Sequence, residues 1–163
     1  MNMKWIREYF IKSALRKVTL VKKDHPSIDK IESIGIIGSS LVELHETIDA
    51  VIPILGKDIK VTGLFYGEGS EAKEAFSYKD FSLSGQPKNV VAEFLLDKVD
   101  LIVASSEKLN LFSLYLLYLN PQSYSVGFYD KSHTPYLDLM VAKEDLDQKQ
   151  NIENLLKYLK QVI

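Results

Sequence analysis

Cysteine is absent from the sequence, which removes disulfides, thiolate zinc sites, iron–sulfur clusters and cysteine nucleophiles together. Histidine is scarce. His25, His45 and His133 are scattered and form no H-x-x-x-H pair, so nothing announces a metal site. Arginine is nearly missing as well: of 20 basic residues only Arg7 and Arg16 are arginine. Arginine is the side chain that reads phosphate and guanine bidentately. With no helix-turn-helix and no metal-finger spacing either, sequence-specific nucleic-acid binding is not expected. No apolar run reaches the roughly eighteen residues of a membrane-spanning helix. The start of the chain carries no secretory apolar stretch, so a cytoplasmic protein is expected. G-x-G-x-x-G, the Walker A loop and G-x-S-x-G are all missing, and with them the usual signs of dinucleotide, nucleotide and α/β-hydrolase chemistry. No cofactor is implied.

What is present describes an ordinary folded domain. The chain has 163 residues, 46% of them hydrophobic and 26% charged, which suits one globular unit and not a disordered segment. Its net charge of −2 hides an uneven distribution. Residues 1–23 hold seven basic residues and one acid, for +6, whereas residues 24–163 hold 13 basic and 21 acidic residues, for −8. A basic arm on an acidic body suits an anionic membrane surface, a nucleic-acid backbone or an acidic protein. The same helix can equally lie on the acidic body and turn its lysines to water.

Periodicity supplies the architecture. Residues 3–21 read as a helix, with Trp5, Ile6, Tyr9, Phe10 and Ala14 at helical spacing. His25-Pro26 breaks the pattern. Residues 1–28 are therefore expected to be a basic helical extension, and residues 29–163 a single α/β domain. Ser33–Gly38 is apolar at nearly every position, as in a strand buried on both faces. Leu41, Leu44, Ile48, Val51, Ile52 and Leu55 make one helical stripe. Residues 58–66 alternate as a second strand, closing a right-handed βαβ unit. Residues 70–78 read as a short helix, 81–87 as an ordered loop with apolar anchors, and 89–97 as a helix. Residues 99–104 are the best central strand. The helix over 109–119 is apolar all round, so it is expected to be buried or to lie against a partner. Residues 124–129 and 136–141 read as the last two strands. Their short connection suggests an antiparallel hairpin at the sheet edge. A helix over 147–162 closes the chain. The whole predicts a three-layer, Rossmann-like α/β sandwich with a mostly parallel sheet of about five strands.

In such a sheet ligands sit beyond the carboxyl ends of the strands, where strand order reverses. Three segments are expected there. Gly38, Ser39 and Ser40 join a strand to a helix and could hold a phosphate or carboxylate on backbone N–H groups. However, Ser40-Leu41-Val42-Glu43 also fits the capping box S-x-x-E, and Glu43 would repel an anion. Ser105 and Ser106 form a second strand-to-helix turn, able to bond a ligand or to cap. Asp130 and His133 lie three residues apart, half of a base constellation, yet Asp, Ser, Thr and Pro are also what a turn needs. Tyr115, Tyr118, Tyr124, Tyr129 and Tyr136 crowd the last third, as an interface or, more commonly, as core.

Two resemblances can be stated on particular residues. Trp5-Ile-Arg-Glu-Tyr-Phe-Ile-Lys12, Ser33-Ile-Gly-Ile36, Phe81 with Gly85-Gln-Pro-Lys88, Val99-Asp-Leu-Ile102, Val126-Gly-Phe-Tyr129 and Tyr136-Leu-Asp-Leu-Met140 resemble a family of short, uncharacterised bacterial α/β proteins. That resemblance spans nearly the whole chain and implies no known activity. More distantly, Asp100-Leu-Ile-Val, the apolar helix after it and Ser125-Val-Gly-Phe128 are similar to the N-terminal, Rossmann-like half of GT-B heptosyltransferases. Those enzymes carry a second such domain for the nucleotide sugar. The function expected from all this is a non-enzymatic domain that binds a protein partner or itself, with an anionic membrane surface as a further partner of residues 1–23. The alternative is a small-ligand domain for a phosphate, nucleotide or sugar, or a degenerate glycosyltransferase-like half.

Overall fold

The computed structural model describes residues 3–18 and 30–162. Residues 19–21 of the expected first helix, and the break at His25-Pro26, lie outside them. Among the described residues the order is α1 (Lys4–Leu15), β1 (Ser33–Gly38), α2 (Leu41–Leu55), β2 (Lys60–Tyr66), β3 (Ala75–Phe76), α3 (Asn89–Leu96), β4 (Leu101–Ala104), α4 (Leu111–Tyr118), β5 (Tyr124–Phe128), β6 (Leu139–Val141) and α5 (Gln148–Val162).

The six strands form one sheet in the order β3-β2-β1-β4-β5-β6. Every pair is parallel. Alternation along the strands divides the core in two. Ile34, Ile36, Leu101, Val103 and Val126 face α2 and α5, while Ile37, Leu64, Ile102 and Ala104 face α1, α3 and α4. The sheet is thus covered on both faces, which is why its central strands carry almost no polar side chains. Gly63 lets α2 lie close on β2. A Cβ there would fall 2.4 Å from Leu44 Cδ1.

Three expectations need correction. The edge hairpin does not form, because β6 runs parallel to β5. A parallel return usually needs a longer crossover. Here β6 is three residues long and pairs with Val126 through Phe128, so the chain descends only about 7 Å before re-entering the sheet. A one-turn 3-10 helix at Lys131–His133 makes that reversal. The short helix over 70–78 is likewise replaced by a turn, by β3 and by a 3-10 helix at Tyr78–Asp80 capped by Ser77. Pairing with β2 draws Glu74 to Phe76 into extended backbone, the Glu74 and Phe76 carbonyls taking the Phe65 and Gly67 N–H groups at 3.0 and 2.9 Å. The sheet therefore has six strands, not five.

α1 is built into the core. Ile11 and Leu15 are buried in the same cluster as Phe81, Phe112 and Tyr115. Arg7 Nε donates to the Phe81 carbonyl at 2.8 Å, and Lys4 Nζ lies 2.6 Å from Glu68 Oε1. α1 covers α4, so the element that answers the all-round apolar helix belongs to this chain. The loop 81–87 is ordered as expected. Phe81 is buried and bridges to Pro87, and the Tyr115 hydroxyl donates to the Gly85 carbonyl at 2.9 Å.

Candidate functional site

Strand order reverses between β1 and β4, and the turns after those two strands meet in the crevice beyond their carboxyl ends. Gly38, Ser39, Ser40, Ser105 and Ser106 are brought together there, as the sequence suggests. Their polar groups are directed to one acceptor, Glu43. Its Oε1 takes the Ser39 N–H at 3.0 Å, the Ser105 hydroxyl at 2.8 Å and the Ser106 hydroxyl at 2.5 Å, while its Oε2 takes the Ser39 hydroxyl at 3.1 Å. Ser40 caps α2 by accepting the Glu43 N–H at 3.1 Å.

The capping box forms with a shift of one residue. Glu43 satisfies the N–H of Ser39 and not that of Ser40, and so reaches across to β4. Gly38 leaves the room for this. A Cβ on it would approach the Ser105 hydroxyl to 3.1 Å and Glu43 Oε1 to 3.2 Å. Gln148 of α5 closes the far side by donating to the Ser105 carbonyl at 2.8 Å. The crevice where a phosphate would lie thus holds a carboxylate of the chain itself, and a second anion would meet that charge at close range.

Asp130 and His133 do not form a pair. Asp130 caps the 3-10 turn, accepting from the Ser132 N–H at 2.9 Å and the Ser132 hydroxyl at 2.6 Å. Those bonds hold its carboxyl below the usual aspartate range. His133 is fully buried. Its Nε2 accepts the Leu109 N–H at 3.1 Å, which leaves Nδ1 to donate to the Phe128 carbonyl at 3.2 Å. With both ring nitrogens engaged, the imidazole ties the end of β5 to the segment that enters α4. Among the described residues no group of three His, Asp or Glu is placed to hold a metal ion, and no helix is long and apolar enough to cross a membrane.

A different feature was invisible in the side-chain pattern. β3 covers only Phe65 and Tyr66 of β2. Phe65 and Gly67 donate their N–H groups outward to Glu74 at 3.0 Å and Phe76 at 2.9 Å, whereas Lys60 donates inward to Glu32 at 3.0 Å. By the two-residue period of a strand, Val61 and Gly63 also present N–H and C=O outward. There no backbone of the described residues pairs with them. This bare edge is the floor of an open cleft of about 460 Å³ between α2 and α3, walled by Ile48 on one side and by Val90 and Phe94 on the other. Its rim carries Glu74, Glu93, Asp97 and Lys73. Lys60 Nζ lies 3.2 Å from Asp97 and Lys73 Nζ 4.0 Å from Glu74, so the acidity left over at the rim is that of Glu93. No sequence motif marks it, because the groups concerned are main-chain atoms exposed by the shortness of β3.

A family model described as a family of unknown function, DUF6913, matches residues 4–162. The chain belongs to DUF6913. The match takes in α1 as well as the sheet, so in this DUF6913 member the basic helix and the α/β core fall within one family unit. Comparison with curated proteins and with solved structures returns no match.

Proposed function

We propose that this chain is a non-enzymatic binding domain that takes a protein partner, and that the partner adds an extended segment to the free edge of β2. The observation that carries the reading is the bare main-chain edge at Val61 and Gly63 at the base of the acid-rimmed cleft. Unpaired strand edges are templates for strand addition, in which main-chain bonds give affinity and flanking pockets give specificity. The recess between two helices favours a single extended peptide over the flat edge of another sheet. The rim charge favours a basic one.

The Ser-rich crevice weighs against the small-ligand alternative, because Glu43 occupies it. The parallel order β3-β2-β1-β4-β5-β6 suits a distant kinship with the N-terminal half of GT-B heptosyltransferases. The carboxylate in the crevice does not suit a sugar phosphate. As part of the same proposal the protein is taken as bacterial and cytoplasmic, which fractionation of its source cells would test.

Selection of a displayed random-peptide library on the full chain tests the reading. Enriched peptides are expected to be basic and β-branched, and to lose binding to Val61→Pro, which removes one outward N–H while sparing the inward ladder. Glu93→Lys, on the exposed rim, should weaken the same peptides without altering the fold. A lack of enriched peptides, or peptides indifferent to both changes, would sink the proposal. Dimerisation of the free chain that Val61→Pro abolishes would replace the partner peptide by a second copy.

A further inference from the structure

We propose that the outward face of α1 is a docking surface for an anionic lipid bilayer. The argument stands apart from the β2 edge and uses different residues. α1 has two apolar faces. Ile11 and Leu15 are spent on the core, yet Trp5 remains 68% exposed, Tyr9 64% and Phe10 43%. Trp5, Tyr9, Lys12 and Arg16 follow one another at spacings of four, three and four, which sets them in one stripe along the helix.

Charge completes the pattern. Lys4 and Arg7 turn to the body, through Glu68, the Phe81 carbonyl and the Tyr78 ring. Lys12, Arg16 and Lys17 are exposed. The single acid of the helix, Glu8, is half-buried and lies 4.0 Å from Lys4, off the outer stripe. The outer face is therefore aromatic in its first half, cationic from Lys12 onward, and free of acids. Rings with one apolar and one polar edge settle at the level of lipid headgroups, and flanking Lys and Arg meet anionic headgroups there. An exposed helical face whose rings and cations share one stripe matches a flat, fluid surface. The face is fixed, because α1 is anchored to the body by its inner side chains.

Trp5 is the only tryptophan, so its emission reports on this face alone. The full chain is titrated with phosphatidylcholine vesicles with and without phosphatidylglycerol. With the anionic vesicles Trp5 emission should shift to the blue and become shielded from acrylamide. Neutral vesicles and high salt should abolish both changes. Lys12→Ser and Arg16→Ser should each weaken binding about fivefold, the loss expected for one cation near an anionic surface. Tyr9→Ser should weaken it too, with unchanged circular dichroism in every variant. Four results would overturn the proposal. These are no shift with anionic vesicles, an equal shift with neutral ones, an equal shift with polyglutamate, or a lipid-free shift that grows with protein concentration alongside a dimer mass.

Discussion

Glu43 gathers the polar groups of the crevice beyond β1 and β4. Three side-chain or backbone donors from Ser39 and Ser105, and a fourth from Ser106, end on its two oxygens, and two of the hydroxyls are buried. Removing the acceptor leaves the buried Ser106 hydroxyl without its partner, while Ser105 keeps only the Ile37 carbonyl at 3.4 Å, a loss of about 1–3 kcal/mol for a buried group left unpaired. Glu43→Ala is therefore expected to lower stability by that amount in urea unfolding. Glu43→Gln, which keeps one acceptor oxygen, should cost less. If neither change lowers stability, the carboxylate is not the organising group. Much of this was legible. S-x-x-E spacing located Ser40 and Glu43, and strand-end logic located Ser105 and Ser106. What spacing could not supply was the contact between them, because Ser105 and Ser106 are 62 and 63 positions away from Glu43 in the chain. His133 was misleading for a related reason. Its sequence neighbour Asp130 bonds locally, while its true partners are two backbone groups.

Elements were legible wherever the apolar period was long. α2 and α5 follow their stripes, and α2 continues through Pro53 to end at Leu55. β3 and β6, at two and three residues, are too short to hold a period. Their direction is decided by how far the chain must descend and not by composition. α1 shows the same limit in another form. Its stripe includes exposed aromatics, so the sequence cannot tell which apolar face is inside. Ile11 is completely buried, and Ile11→Ala should cost about 2–5 kcal/mol by the usual cavity penalty. Hydrogen exchange should then show α1 and the sheet losing protection together. Unchanged stability would mean that α1 is not part of the cooperative unit.

The polar ties of α1 give it an acid limb. The Lys4 ammonium, and after it the Tyr66 hydroxyl, hold the Glu68 carboxyl below the usual glutamate range. The same carboxylate holds Lys4 above the usual lysine range. Burial, and then the bond to Glu68, pushes the Tyr66 hydroxyl well above its usual value. A depressed carboxylate contributes stability above the ordinary glutamate range and loses it as pH falls through its own lower value. Glu68→Gln should therefore be less stable than the parent chain at neutral pH. The difference, at most about 1 kcal/mol because the pair is exposed to solvent, should vanish in acid. Parallel urea midpoints at the two pH values measure it.

At the scale of the whole molecule, the three-layer plan and parallel sheet follow from the sequence. The order of the strands does not, since it rests on contacts across the full length of the chain. One such contact joins Arg7 to Phe81, 74 positions apart. On a ribosome adding about 5–20 residues per second, α1 emerges roughly 4 to 15 s before the loop that shelters its inner face. Through that interval the α1 segment of a nascent chain has none of its core partners beside it. The inner side chains Ile11 and Leu15 thus wait on residues made much later in the chain, so the burial of α1 is among the last steps that this topology allows.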